Sequence, residues 1–249
     1  LCMWVKLLLL FFVFSYLFRT DLAFDQDLGR HIKLGEIIVK TGQVPKVNLF
    51  SYTNADFPFI NTHWLFEAVA YGFSQTVGLQ VLLVLKVVII LFSVYLTVKI
   101  IPRTNTALLL PVGFIFLHVL RERLELRPEI FSFLFTASSY YILEKLLRST
   151  RHEGWGLVFL LPLIQLIWIN SHIYFFVGLA LQAVFILHLS YQYLRFHLEG
   201  WKLRILTTIF GLSILVSLIN PNGLYGLLYP LNVTKNYGYT IVENQTMFL

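Results

Sequence analysis

Two carboxylates next to a histidine are the residues of this chain best suited to chemistry. Asp25 and Asp27 lie two positions apart, and His31 follows one helical turn later, in the segment DQDLGRHIKLGE. A carboxylate can remove a proton from an acceptor hydroxyl as a general base, and a pair can hold a hard divalent cation. Alternatively, both side chains only cap the N-terminus of a helix. The pattern alone does not decide between a general base, a metal site and a helix cap.

A second polar group occurs in the segment INTHWLFE, where a helix is predicted to begin. Asn61, His63, Trp64 and Glu67 can line a pocket there. The indole of Trp64 is suited to stacking on a sugar, although an interfacial aromatic belt explains a single tryptophan better. We predict that His31, His63, Trp64 and Glu67 bind a substrate.

Three arginines alternate with glutamates in the segment RERLELRPE. Arginine makes bidentate contacts to phosphate, so Arg121, Arg123 and Arg127 are predicted to bind a substrate phosphate. An internal salt-bridge network with the neighbouring glutamates fits equally well. Lys86 lies inside an apolar run, and we expect it to extend toward a polar surface rather than to meet a phosphate.

The other polar segments favour structure over chemistry. Asn170-Ser171-His172 and the segment NPNGLYGLLYP are predicted to form helix ends and turns. The single cysteine, Cys2, excludes a disulfide framework, and no histidine or cysteine spacing is typical of zinc.

The elements that must position these residues are apolar helices. Hydrophobic residues make up 57% of the chain and charged residues 13%, with a mean hydropathy of +0.74. Soluble domains carry roughly 25% charged residues. We predict an all-α, polytopic transmembrane helix bundle of about seven spans. The predicted spans are 1–18, 77–101, 107–120, 129–147, 156–169, 173–194 and 203–219.

Residues 19–61 form the first outer loop in this scheme. Leu28, Ile32 and Val39 share one helical face, which predicts a helix lying in the membrane interface. With a cytoplasmic N-terminus, inner loops contain Lys99, Arg148 and other basic residues, as the positive-inside rule requires. Most acidic residues then fall on the outer side. The basic residues therefore orient the chain, and nothing in their pattern indicates a nucleic-acid partner.

Several segments resemble polytopic bacterial glycosyltransferases of the GT-C superfamily. They are DQDLGRHIKLGE, VPKVNLFSYT and INTHWLFE in the first outer loop, and RPEIFSFLF, LIWINSH and LINPNGLYGLLYPLN further along. Protein O-mannosyltransferases and the aminoarabinose transferases of lipid A are related enzymes. The resemblance covers residues from about 20 to 245. It implies a single transmembrane domain over 1–249, and it implies a longer protein of which this sequence is the N-terminal part.

The resemblance also implies an activity. A sugar would move from a polyprenyl-phosphate donor to an acceptor on the outer face of the bacterial inner membrane, with inversion. Asp25 or Asp27 would be the catalytic base, and a divalent cation is used by some relatives. Two alternatives remain open, namely a transporter or flippase of lipid-linked or polar solutes and a non-catalytic membrane protein of the same fold.

Overall fold

The computed structural model describes residues 11, 13–18, 27–54, 56–100, 113–115, 117–118, 125–150, 153–197 and 200–233. These residues form helices and loops, with one isolated antiparallel bridge between Val47 and Pro58. The helices are numbered here in chain order: α1 (Leu28–Thr41), α2 (Trp64–Thr76), α3 (Leu79–Ile100), α4 (Glu129–Arg148), α5 (Leu160–Ser171), α6 (Phe176–Phe196), α7 (Gly200–Val216), α8 (Gly223–Leu228) and α9 (Pro230–Val233). Short 3-10 helices, Gly156–Phe159 and Ile173–Phe175, lead into α5 and α6.

The predicted helical segments that fall on described residues are confirmed as helices. Segments 77–101, 129–147, 156–169, 173–194 and 203–219 correspond to α3 through α7, with shifts of a few residues at the ends. The segments 1–18 and 107–120 lie largely outside the described residues. The all-α prediction is therefore confirmed for the described part of the chain.

Among the described residues, two stretches of helix are long and apolar enough to cross a membrane, Leu79–Ile100 and Ile173–Phe196. The apolar helix Gly156–Ser171 is shorter, and serines and tyrosines along α4 lower its hydropathy. The arrangement of about seven spans stays a prediction.

Helix α3 is apolar on all sides. Its inward face buries Leu83, Val87 and Ile90 almost completely. Its outward face exposes a continuous row of large apolar side chains: Val81, Val84, Val88, Phe92 and Tyr95. Soluble proteins seldom present such a contiguous apolar surface to water, and a helix that is apolar all round is typical of a membrane span.

Helix α4 is central to the bundle because it contributes to each of the three apolar cores that the described residues form. Ile130 packs with α1, α2 and α3 at one end. Phe135 packs against Trp168 of α5. Leu143 and Leu146 pack with α5, α6 and α7 at the other end. The two ends of α4 therefore pack into different apolar cores.

A ladder of polar side chains joins α5, α6 and α7 within the apolar interior. Gln165 donates from Nε2 to the Ser217 hydroxyl, which follows α7, at 3.2 Å, and Ser213 of α7 donates to Oε1 of Gln182 on α6 at 3.1 Å. Ser217 donates to the backbone carbonyl of Ser213 at 2.7 Å. In an apolar surrounding, such bonds fix one helix against its neighbour, because sliding would leave polar groups unpaired.

Backbone geometry explains where α1 and α2 end. Helix α1 stops at Gly42, which has a left-handed φ of 68° and donates its N–H to Ile38 O at 2.8 Å. Gly78, with a φ of 88°, separates α2 from α3. Both conformations favour glycine. The loop after α1 then returns to the bundle and delivers Asn61 and His63 to the beginning of α2.

Candidate functional site

Polar side chains from four separate segments meet where α1, α2, α4 and α5 come together. We call this group the polar cluster. Its members are His31, Asn61, His63, Trp64, Glu67, Ser132, Trp168, Asn170 and His172.

The carboxylate of Glu67 is the most buried charged group of the polar cluster, with 1% of the residue exposed. His31 donates from Nδ1 to Oε1 at 3.0 Å, and Asn61 donates from Nδ2 to Oε2 at 2.6 Å. Both carboxylate oxygens are therefore hydrogen-bonded, as the burial of a carboxylate requires. Because a carboxylate oxygen only accepts, Nδ1 of His31 carries a proton.

Asn61 also positions the beginning of α2. Its Oδ1 accepts the backbone N–H of His63 at 2.9 Å. One asparagine thus fixes both the Glu67 carboxylate and the backbone of the next imidazole.

Three imidazole rings follow one another through the polar cluster. The centroids of His31 and His63 are 5.9 Å apart, and those of His63 and His172 are 5.4 Å apart. They come from α1, from the residue before α2 and from the end of α5. The row therefore brings together three histidines that are far apart in the sequence.

His172 is held by a chain of hydrogen bonds from the core. Trp168 donates from Nε1 to the Ser132 hydroxyl at 2.8 Å, and this hydroxyl lies 2.7 Å from Nδ1 of His172. No other acceptor for the hydroxyl exists among the described residues, so Ser132 donates to Nδ1. The proton of the neutral His172 ring is then on Nε2.

Both inner imidazoles are kept uncharged. Burial lowers the pKa of His172 to about 4, with a further contribution from His31. Burial also holds the pKa of His63 well below its usual value, and the neighbouring His172, His31 and Arg30 lower it further. Neutral imidazoles can each donate one hydrogen bond and accept another, so these rings can bind a polar ligand as donor or acceptor at neutral pH.

Trp64 connects the polar cluster to the far end of the chain. Its indole N–H donates to Oδ1 of Asn170 at 2.7 Å. Asn170 donates from Nδ2 to the carbonyls of Leu166 at 2.8 Å and Ile219 at 2.9 Å. The indole N–H is therefore used in a structural bond, which leaves the face of the ring for contact with a ligand.

The closest approach of α1 to α2 occurs at Gly35, one turn after His31. A Cβ atom on Gly35 would lie 2.6 Å from the backbone carbon of Glu67 and 2.8 Å from Cβ of Tyr71, and it would also clash with the Glu67 carbonyl oxygen. Only glycine allows this approach. The short distance between the two backbones places His31 within reach of Glu67.

Asp27 lies at the edge of the polar cluster. It is the residue before α1, and its backbone carbonyl accepts the N–H of His31 at 3.0 Å. Its side chain makes no capping hydrogen bond; it is half exposed and lies 3.4 Å from the guanidinium of Arg30. Asp27 therefore occupies the N-cap position of α1 without a side-chain capping bond, and its carboxylate remains accessible. Asp25 lies outside the described residues.

Of the three predicted arginines, Arg127 alone lies within the described residues. Its Nε atom is 2.7 Å from Oε2 of Glu125. This ion pair agrees with the salt-bridge alternative. Arg127 precedes α4 and is thus at the same end of this helix as Ser132. Arg121 and Arg123 lie outside the described residues.

Lys86 is buried in the middle of α3, with 1% of the residue exposed. Its side chain is therefore enclosed within the bundle. It lines a cavity of about 20 Å³ with apolar neighbours such as Phe66 and Ile130. A cavity of this size holds about one water molecule.

The described residues include no group of three or more His, Cys, Asp or Glu side chains that could hold a metal ion. The three imidazoles of the polar cluster follow one another in a row instead of converging on one point. Comparison with protein-family models, with curated proteins and with solved structures finds no match to the chain.

The structure brings together His31, His63, Trp64 and Glu67, which were selected from the sequence as substrate-binding. Sequence reasoning missed Ser132 and assigned Asn170 and His172 to helix-end structure. Ser132 carries no local signal, since a serine in an apolar helix is common. Asn170 and His172 did carry a signal for a functional site, because both hydrogen-bonding side chains follow directly after an apolar run.

Proposed function

We propose that this protein is a membrane glycosyltransferase that moves a sugar from a polyprenyl-phosphate donor to an acceptor hydroxyl. The observation that carries the proposal is the buried polar cluster, in which a histidine–carboxylate pair and two neutral imidazoles meet beside the accessible Asp27. The resemblance of the first outer loop to GT-C enzymes supplies the reaction. The geometry supplies the groups that such a reaction needs.

Asp27 or Asp25 is the general base in this proposal. The carboxylate takes the proton of the acceptor hydroxyl as the hydroxyl oxygen attacks the anomeric carbon. The bond between that carbon and the phosphate oxygen breaks, and its electron pair leaves with the polyprenyl phosphate. Attack from the side opposite the phosphate inverts the anomeric centre. A positioned base contributes roughly 10²–10⁴-fold to such a proton transfer.

The polar cluster holds the donor in this proposal. Uncharged His63 and His172 can donate N–H groups to phosphate oxygens, on which negative charge increases as the sugar leaves. Glu67 and Asn61 orient His31 and the backbone of His63. Glu67 is therefore a positioning residue.

The position of the polar cluster supports an outer-face site. Ser132 lies near the beginning of α4 and Arg148 at its end, which places them about 24 Å apart at 1.5 Å per residue. The basic residues Lys145 and Arg148 are at the end away from the polar cluster. Under the positive-inside rule that end faces the cytoplasm, so the polar cluster faces outward.

Transport is the other function that the sequence left open, and Lys86 is the group that would favour it. Transporters place their substrate sites near the middle of the bilayer. The cavity beside Lys86 has room for about one water molecule and therefore does not favour passage of a solute.

The test is glycosyl transfer in proteoliposomes with a polyprenyl-phosphate sugar as donor. We expect Asp25→Asn or Asp27→Asn to lower the rate at least about 100-fold while expression and melting temperature stay unchanged. Asp56→Asn is the matched control, since Asp56 is an exposed aspartate of the same loop. Full activity of both variants would show that neither carboxylate is the base. Flux of the lipid-linked sugar without product would replace the proposal with transport.

A further inference from the structure

A second polar site lies at the opposite end of α4 from the polar cluster. It is a cavity of about 400 Å³ between the ends of α3 and α4. Its lining includes Lys99 of α3 and Tyr141, Lys145 and Arg148 of α4, followed by Ser149 and Thr150. Ligand sites in proteins have volumes of roughly 300–1,000 Å³, so this cavity is large enough for a small polar group.

Two lysines from different helices converge on one aromatic ring in this cavity. The Nζ atom of Lys99 lies 5.8 Å from the ring centroid of Tyr141, and the Nζ atom of Lys145 lies 5.9 Å from it. Lys99 also donates to the hydroxyl of Tyr95 at 3.1 Å. Within the described part of the chain, neither lysine has a carboxylate at ion-pair distance. The two ammonium groups share one aromatic ring, and a bound anion would reduce the repulsion between them.

Arg148 adds unused donors to the same cavity. Both polar contacts of the Arg148 side chain are made by Nη2, which lies 3.1 Å from Ile100 O and 3.1 Å from Glu144 Oε2. Among the described residues its Nε and Nη1 groups have no partner, and these are the N–H groups with which arginine holds planar anions. Glu144 is already paired with Arg148. Glu153 is then the remaining carboxylate of the lining, and its single negative charge compares with the two positive charges of Lys99 and Lys145.

The position of the cavity indicates where the anion comes from. Lys99 is the penultimate residue of α3, one of the two stretches long and apolar enough to cross a membrane. Tyr95 and Tyr141 lie at the same level, where an interfacial aromatic belt is expected. Basic pockets between helices at the cytoplasmic surface are suited to the headgroups of anionic lipids.

We propose that this cavity binds a phosphate group, supplied by the headgroup of an anionic phospholipid. Lys99 and Lys145 neutralise the charge from two sides, and Arg148 donates hydrogen bonds to the phosphate oxygens. The bound lipid thereby holds the ends of α3 and α4 together. This site is independent of the glycosyl transfer proposed for the polar cluster, since it lies at the other end of the bundle.

The experiment measures lipid retained by the purified protein. The protein is equilibrated in mixed micelles that contain equal amounts of phosphatidylglycerol and phosphatidylcholine, and bound lipid is counted by native mass spectrometry. We expect a clear preference for phosphatidylglycerol. The double variant Lys99→Gln/Lys145→Gln should weaken it about 30-fold, since each basic residue near an anionic surface contributes roughly a factor of five.

Two controls separate a specific site from general charge. Arg195→Gln removes an exposed cation from the last turn of α6, at the same end of the bundle but away from the cavity, and should leave lipid retention unchanged. The double variant Lys99→Arg/Lys145→Arg keeps the charges and should retain the lipid. Melting temperatures in phosphatidylcholine confirm that the variants are folded. If the double glutamine variant is unstable, Lys145→Gln alone, with an expected loss of about fivefold, makes the same comparison.

A parallel titration with inorganic phosphate in neutral detergent distinguishes the source of the anion. Phosphatidylglycerol preference that depends on the two lysines supports the lipid headgroup. Saturable binding of inorganic phosphate that the double variant loses, without any lipid preference, supports a soluble phosphate compound at the same cavity. Equal retention of both lipids without phosphate binding overturns the proposal, and so does an equal loss in the Arg195→Gln variant.

Discussion

Replacement of Gly35 by alanine tests whether the packing of α1 against α2 builds the polar cluster. The new Cβ atom would lie 2.6 Å from the backbone carbon of Glu67. Ordinary van der Waals contact begins at 3.4 Å, so the two helices must separate by at least about 0.8 Å, and by more to clear the Glu67 carbonyl oxygen. His31 lies one turn before Gly35 and is 3.0 Å from the Glu67 carboxylate. The separation therefore stretches this hydrogen bond beyond its useful range.

The expected cost of Gly35→Ala combines three contributions. Insertion of a methyl group into a tight contact costs about 2 kcal/mol. Loss of a partner for a buried carboxylate costs about 2 kcal/mol more. Alanine favours the helix over glycine by about 1 kcal/mol. We therefore expect the free energy of unfolding to fall by about 3 kcal/mol.

Gly72→Ala is the matched control for this measurement. Gly72 lies inside α2, and a Cβ atom there would have nothing within 4 Å. We expect this variant to gain up to about 1 kcal/mol of stability from helix propensity alone. The assay is equilibrium unfolding in mixed detergent micelles, with nitrogen chemical shifts of the His31 ring as the local readout. If Gly35→Ala is as stable as Gly72→Ala and the His31 shifts do not change, α1 does not approach α2 in the way described.

Three further predictions concern the buried groups of the polar cluster. Because the folded-state pKa values of His63 and His172 lie below the ordinary value of 6.5, the unfolded chain binds more protons below that pH. The free energy of unfolding is therefore highest above about pH 6.5 and falls as the pH drops toward 4, by about 3 kcal/mol for His172 alone. Urea titrations at several pH values measure this dependence, and a flat profile would contradict the burial of both rings. Ser132→Ala should cost about 1–3 kcal/mol because it leaves a buried indole N–H without an acceptor, and the ring nitrogens of His172 should then show a mixture of tautomers by NMR. Ser139→Ala, at a buried position of the same helix, is the control and should change the unfolding free energy by less than about 1 kcal/mol. Asn170→Asp keeps the acceptor for the Trp64 indole but loses two N–H donors to backbone carbonyls, so we expect a loss of about 3 kcal/mol. Thermal melting checks it against Asn222→Asp, a change at the half-buried residue before α8 whose side chain makes no capping bond. Equal melting temperatures would refute the role of Asn170.

The helices could be predicted from the sequence because their apolar runs are long and their ends carry local signals. The predicted segment 173–194 and helix α6 agree to within two residues at the C-terminal end once the preceding 3-10 turn is included. The apolar run at 203–219 is helical from Gly200, since the polar residues at its start continue the helix. Membrane crossing by each run depends on the surrounding bilayer and on packing, which the sequence alone does not determine.

The polar cluster was predictable in part. His31, His63, Trp64 and Glu67 were found because they lie in two short segments with several polar residues each. The burial of Lys86 could not be predicted, since it depends on how α3 packs against α2 and α4. Ser132 was missed because its partner His172 is 40 residues away. Contacts between distant segments follow from tertiary packing, and no local pattern records them.

The hydrogen bonds of Asn170 have a consequence for how the chain is made. They join Trp64 to the carbonyl of Ile219, which is synthesised 155 residues later. At about 5–20 residues per second, translation needs roughly 10–30 s to cover that interval. The pair between His31 and Glu67 can form soon after α2 leaves the ribosome, whereas the link through Asn170 must wait for the end of α7. The last hydrogen bond that holds the polar cluster thus forms late in biosynthesis. Until then, the side chains already synthesised lie in the insertion machinery or in lipid without this bond.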